Sequence, residues 1–245
     1  MPQLATGVVS IANEVLTNVA AIAAGMDYSL ALKKDGTVIG WGNNWRARAL
    51  GFETSGVRST NGLVIVDGKV LSNVVALCAN SQRIALSRDG FAETWGFDSS
   101  GPTGRPFPGP HSVGGVAAIA TGGEYALVLR KDGSLWRWGP DHSPPAALDD
   151  VIAIAVSSSE DGHGLALRSN RTVYAWGLMH DSVSQVEGAT NVVAIAAGIE
   201  HYIALKSDGT VCEWGDYNPP IAVSIMAGEP AENLSSQLAV VGGKF

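Results

Sequence analysis

Carboxylates stand at one recurring place in this chain. Asp27, Glu124, Glu160 with Asp161, and Glu200 each follow closely on an apolar run of the form Val-x-Ala-Ile-Ala-Ala-Gly or a variant of it. Glu229 and Glu232 follow a weaker sixth run. Such groups can act as general acids and bases, ligate a cation, or attract a basic partner. Acid–base work needs a second group to orient the carboxylate, and the histidines do not supply one. His163 and His201 stand where Tyr28 and Tyr125 stand in other copies of the repeat, which reads as a structural position. His142 and His180 lie among acidic loops, with nothing in the sequence to hold either as a base. No nucleophile elbow, phosphate loop or His/Cys cluster of metal-ligand spacing is present. The residues therefore argue against an enzyme, a cofactor and a metal site, and for recognition by charge.

The elements that must position these groups come from one phrase of about two dozen residues. Its clearest copy runs from Val192 to Gly215, and its opening run returns at Val19, Val74, Val116, Val151 and, more weakly, Ala222. Its Trp-Gly ending returns at Trp41, Trp95, Trp138 and Trp176. A fixed internal period of this kind marks a solenoid or propeller, whose single units cannot bury their own apolar faces. Each copy reads as three strands. An Ala-rich run such as Val19–Gly25 suits a strand covered on both sides, and Tyr28–Lys33 alternates. Asp35-Gly36 then predicts a two-residue hairpin turn before a third strand, Thr37–Trp41. Asp-Gly recurs at 89–90, 132–133 and 208–209, but the fourth copy carries Asn170-Arg171, which predicts a strained turn or another type. The tryptophans read as core anchors of each unit rather than a ligand ladder.

The two ends complement each other. The sixth copy stops at Phe245 without a third strand, and the chain begins with Thr6–Ile11, a third strand lacking its first two. Joining them removes exposed sheet edges. The expected architecture is an all-β, six-bladed β-propeller closed by the N-terminal strand, one domain over 1–245. Its blades lie near 18–72, 73–114, 115–149, 150–190 and 191–220, with 221–245 completed by 1–17.

The phrase Val-x-Ala-Ile-Ala-Ala-Gly…Ala-Leu-Lys-x-Asp-Gly-Thr-Val-x-x-Trp-Gly resembles the regulator of chromosome condensation repeat, over nearly the whole chain. The compact units and terminal closure resemble bacterial members, of the beta-lactamase inhibitory protein II kind. The resemblance implies a propeller. Its shared residues are those of core and turns, so it says little of function. The eukaryotic founder and that inhibitor have seven blades against six here, so their surface residues are not carried over.

Antiparallel strands would bring the junctions between first and second strands, and the loops after Trp-Gly, to one end of the ring. That end collects the carboxylates named above with Asp98, Asp141, Asp181 and Asp216; only the second unit, at Ser81–Arg83, has no acid at the junction. The other end gathers Lys33, Lys34, Arg88, Arg130, Lys131, Arg168, Arg171 and Lys206. Segregated charge steers an oppositely charged partner, and aromatics among charges anchor it. The expected partner-binding residues are Asp27, Trp45, Phe97, Glu124, Glu160, Asp161, His180, Glu200 and Tyr217. The reading is a non-enzymatic protein-binding module of the inhibitor or effector kind, whose acidic face meets a partner with a basic surface. A carbohydrate-binding propeller is the first alternative, with a glycan held between blades. The resemblance implies another, nucleotide exchange or chromatin association.

Composition bounds the rest. Apolar residues make up 46 % and charged ones 16 %, which suits a buried core and not disorder. A net charge of −7 argues against nucleic acid, and no apolar run reaches the ~18 residues of a membrane helix. Cys78 and Cys212 fall in strands of units too far apart in a ring to pair, so both read as buried thiols. Met1–Thr6 lacks the charged head and apolar stretch of a signal peptide, which points to the cytoplasm, or to secretion with the signal already removed. A closed ring is expected to be a monomer.

Overall fold

The computed structural model describes residues 8–25, 28–42, 62–66, 68–80, 83–95, 112–122, 125–138, 148–157, 163–177, 180–198 and 201–215. Every regular element among them is a strand, and the strands form small antiparallel sheets in chain order. The first unit pairs Val19–Ala24, Tyr28–Lys33 and Val38–Gly42, with Leu63 bridging Ile39 at its outer side. The second pairs Val74–Ala79, Arg83–Ser87, Ala92–Thr94 and Ser112–Val113. The third comprises Val116–Thr121, Ala126–Arg130 and Leu135–Trp138. The fourth adds an outer strand, His180–Gln185, to Val151–Val156, Gly164–Arg168 and Val173–Gly177. The fifth holds Val192–Ala197, His201–Lys206 and Val211–Gly215. First strands of successive units lie beside one another, so they form the inner wall of a β-propeller.

The Asp-Gly turn differs from its expectation in length. Lys33 N–H donates to Thr37 C=O, and Gly36 N–H to Lys33 C=O, which encloses three residues with Gly36 at φ +85°. This is a type I turn closed by a left-handed residue, the arrangement of three-residue hairpins. The dipeptide signals both turn lengths, so the sequence could not separate them. The fourth copy, expected to differ, keeps the same pattern: Arg171 takes the left-handed position at φ +65°, and its N–H donates to Arg168 C=O. Without a glycine there, the turn carries some backbone strain. Asn170 accepts from the N–H and hydroxyl of Thr172, as Asp35 accepts from those of Thr37.

That turn holds the units together. Gly36, Gly90 and Arg171 offer their carbonyls to the N–H of Val74, Val116 and Val192, each the first strand residue of the next unit. The residue before each first strand is also left-handed: Asn18, Asn73, Gly115, Asp150 and Asn191. Its carbonyl accepts from Lys34, Arg88, Lys131, Ser169 or Ser207 in the turn of its own unit. Asn, Asp and Gly tolerate this conformation where other side chains clash with backbone. One residue further on, each first strand carries a bulge: Val19 pairs Lys33 but Ala21 pairs Leu32, leaving Ala20 unpaired. Val75, Ala117, Ile152 and Val193 take the same place.

Hydrophobic cores lie between units. Trp138 packs with Ile84 and Leu86 of the unit before it, and Trp176 with Tyr125 and Leu127. Trp95 sits with Leu30 and Leu32, and half-buried Trp214 with Leu165 and Leu167. Burial of the inner strands is uneven: Ile22 of the first unit is 74 % exposed, whereas the equivalent Ile119 and Ile154 are 3 % and 4 % exposed. Coverage at this position, expected of every first strand, therefore holds for the third and fourth units and not for the first. Near the N-terminus, Ser10–Ile11 pairs with Glu14–Val15, and Ile11 comes against Gly62. The C-terminal residues expected to share a blade with it lie outside the described residues. Cys78 and Cys212 are free thiols, and burial pushes Cys78 up to about 12.

The turn aspartates carry a pH signature. Asp35, Asp132 and Asp208 are held below the usual carboxylate range, first by the hydroxyls of Thr37, Ser134 and Thr210 and then by the N–H of the same residues. A depressed folded pKa contributes stability that is present above the unfolded value of about 3.9 and lost as pH falls through the folded one. The melting temperature is expected to drop as pH falls below about 4. A variant carrying Asp35→Asn, Asp132→Asn and Asp208→Asn, copying Asn170, should fold and show a shallower drop. An unchanged pH profile in thermal melts would remove these aspartates from the account.

Candidate binding faces

The strand directions place all junctions between first and second strands at one end of the propeller and the Asp-Gly turns at the other. Of the expected partner-binding residues, Asp27, Trp45, Phe97, Glu124, Glu160, Asp161, Glu200 and Tyr217 lie outside the described residues. His180 opens the outer strand of the fourth unit, its backbone opposite Gly177. What the structure shows at this end is the floor beneath the junctions.

That floor is tied across units. The Tyr28 hydroxyl donates to Asn80 C=O at 2.8 Å, and the Tyr125 hydroxyl to His163 C=O at 2.6 Å. Each ring lies over a glycine of its own unit: an added Cβ at Gly25 would collide with the Tyr28 ring, and one at Gly122 would collide with Ser157 C=O and Val156 and come within 3.2 Å of the Tyr125 ring. The next position along the second strand then decides the contact between units. In the second unit it is Arg83, 1 % exposed, whose guanidinium lies 5.0 Å from the Tyr28 ring centroid. Its Nε and Nη1 make no hydrogen bond. Burial raises the Tyr28 pKa and lowers that of Arg83, and the attraction between the two opposes both shifts. In the fourth unit the position is Gly164, which leaves space for the Trp176 indole. In the fifth it is Tyr202, edge-on to buried His163 with centroids 5.8 Å apart. His163 thus serves packing, as its place in the repeat implied. A cation over an aromatic face and an edge-to-face pair each add to area burial.

At the turn end a cavity of about 540 Å³ opens against the inner strands of the second, third and fourth units. Val75, Leu86, Leu129 and Ile152 form apolar walls, and the exposed cations Arg88 and Lys131 border it. The charges of this end are unequally engaged. Arg168 pairs with Asp149 at 2.6 Å and Asp150 at 3.8 Å, and Arg130 lies over Trp136. Asp35, Asp132 and Asp208 accept hydrogen bonds inside their own turns, and Asp89 accepts from the Asn73 amide at 2.6 Å. Arg88 and Lys131 make no side-chain hydrogen bond or ion pair among the described residues. The only sequence signal for this site is the second residue of each first strand, and alternation hides a bulge.

A smaller hollow of about 330 Å³ lies between the outer parts of the first and second units, lined by Lys69, Ser72, Glu93, Thr94 and Ser112. Among the described residues no group of three or more His, Cys, Asp or Glu could hold a metal ion. No helix among them is long and apolar enough to cross a membrane.

Residues 19–44 match the family model described as the regulator of chromosome condensation (RCC1) repeat. A human protein, probable E3 ubiquitin-protein ligase HERC6, is 34 % identical over 135 residues, which cover 50 % of this chain and 13 % of that protein. Among solved structures, yeast RCC1 (Prp20) bound to Kap60 superposes with a TM-score of 0.60 at 22 % identity, over 82 % of this chain and 56 % of that one. A second structure, of Prp20p from Saccharomyces cerevisiae, a protein with binding properties to Gsp1p and histones, gives 0.59 at 22 % identity, over 82 % and 57 %. Human WBSCR16 gives 0.58 at 19 % identity, over 80 % and 61 %. The chain spans little more than half the length of these structures and 13 % of HERC6. Residues 19–44 thus carry a repeat of the RCC1 type, and the fold is the β-propeller that these structures share.

Proposed function

We propose that this propeller of RCC1-type repeats is a non-catalytic protein-binding module whose acidic end engages a partner with a basic surface. One observation carries the reading: in the described residues, what repeats is used for the fold. The tryptophans fill cores between units, Tyr28 and Tyr125 bind backbone of the next unit, and the turn aspartates bind their own turns. Such a frame leaves recognition to residues that vary between units, and a surface without repetition suits one extended macromolecular partner better than a set of identical small sites. The carboxylates of five junctions belong by chain position to the same end, where they would act together in steering. The matched structures include Prp20 bound to Kap60, which supports a binding role without naming a partner for this chain.

The test is kinetic. A partner captured on the immobilised propeller should associate more slowly as salt rises, with little change in dissociation. Glu124→Lys with Glu200→Lys should lower the association rate about tenfold, a change of about 1.4 kcal/mol in barrier height. Arg88→Glu with Lys131→Glu, at the opposite end, should leave the rate alone. If the second pair abolishes capture and the first does not, the acidic end is the wrong face.

A further inference from the structure

From the turn end we infer a second docking site, for an acidic peptide segment of a partner protein that carries a bulky aliphatic side chain. The site is the cavity between the second, third and fourth units, and the inference is independent of the reading of the acidic end.

Three features of the structure meet there. The first is apolar surface held in solvent. The bulge takes one residue per inner strand out of the ladder, and at that position Ile152 is 54 % exposed while Val75 also lines the cavity. A propeller needs no large side chain at that place: the first and third units carry Ala20 and Ala117. The second is size: about 540 Å³ falls within the ~300–1,000 Å³ of pockets that enclose a ligand. Together they suit an aliphatic anchor from outside. The third is charge. Arg88 and Lys131 are exposed cations without a side-chain partner among the described residues, and Asp89, Asp132 and Asp149 already accept hydrogen bonds. Asp89 is held by the Asn73 amide and Asp132 by Ser134, and neither carboxylate forms an ion pair with the two cations among the described residues. An incoming carboxylate would gain these two cations without breaking an existing ion pair, while a basic segment would meet like charge.

The experiment uses the full chain and a fluorescein-labelled dodecapeptide of Glu and Gly with a central pair of Leu residues, followed by fluorescence anisotropy. Saturable binding is expected, weakened at least tenfold by Arg88→Glu with Lys131→Glu and also by Ile152→Asp. These positions are exposed, so the melting temperature should stay near that of the parent; should Ile152→Asp unfold, the charge pair still decides. A peptide with the Leu pair replaced by Gly should bind at least tenfold more weakly, and Glu124→Lys with Glu200→Lys should change nothing. The inference fails if no saturation is reached at millimolar protein, or if the Gly peptide binds as well. It fails equally if reversal at Glu124 and Glu200 controls binding while reversal at Arg88 and Lys131 does not.

Discussion

Trp176→Ala is expected to destabilise the propeller by about 3–5 kcal/mol, the range for deleting a large buried aromatic. The indole is buried among Tyr125, Leu127 and Leu129 of the unit before it. The inner side of its own unit was shaped for it, since an added Cβ at Gly164 would lie 2.7 Å from the ring. Backbone on both sides is tied by the strand ladders, so the cavity cannot close by a small shift. Trp138→Ala should cost as much, because that ring is 1 % exposed against Ile84 and Leu86. Trp41→Ala should cost clearly less, because Trp41 is only half-buried. Urea unfolding followed by circular dichroism measures all three. A Trp176→Ala protein with the parent's midpoint and slope would show that the repeat tryptophans do not hold units together.

Removing residues 1–12 is expected to lose a large share of the total stability, which for a domain of this kind is of the order of 5–15 kcal/mol. The motive is a mismatch between the two ends of the array. Ile22 on the first inner strand stays open where Ile119 and Ile154 are covered. At the other end, Gly209 occupies the turn position whose carbonyl elsewhere holds the next unit, and an added Cβ there would meet nothing within 4 Å among the described residues. At Gly36 and Gly133 the same test meets the backbone of Asn73 and Asp150 at 3.2 and 3.0 Å. One further unit would satisfy both ends, and the proposed one joins 221–245 with the N-terminal hairpin. Calorimetry and sedimentation of the shortened and full chains test it. A shortened chain that melts as a monomer at the parent temperature would rule out this closure. A full chain that sediments as an oligomer would mean that a second copy covers the open faces.

Strand positions were legible because the repeat shows one pattern five times. Val19–Ala24 and Tyr28–Lys33 fall where the apolar run and the alternation put them, within a residue. The turn between second and third strands was placed correctly and given the wrong length, because Asp-Gly suits a left-handed residue at either of two turn positions. A further signal stood in the open. Asn18, Asn73, Gly115, Asp150 and Asn191 precede the five inner strands, and these are the residue types that accept positive φ. Their use became visible only once their carbonyls were seen to meet the turns. The charged ends were legible as chain positions. The cavity bordered by Arg88 and Lys131 was not, since it combines residues of three units with a bulge that breaks the period of two.

The amino-acid sequence by itself determined the unit: three strands, a turn aspartate, a tryptophan at the end of the third strand, and the all-β class that follows from repeating them. These are local properties, governed by backbone conformation and by which side chains need burial, so a few neighbouring residues suffice to set them. The tertiary structure alone decided what each unit does to the next. Tyr125 finds its acceptor in His163 C=O 38 residues away, and Arg83 lies buried over Tyr28 although no local rule places a guanidinium in a core. Those outcomes depend on which groups the packing of successive sheets brings within a few ångströms. That packing turns on single positions such as Gly164 and Ile152, where one unit departs from the common pattern and the neighbouring unit fills or exposes the difference.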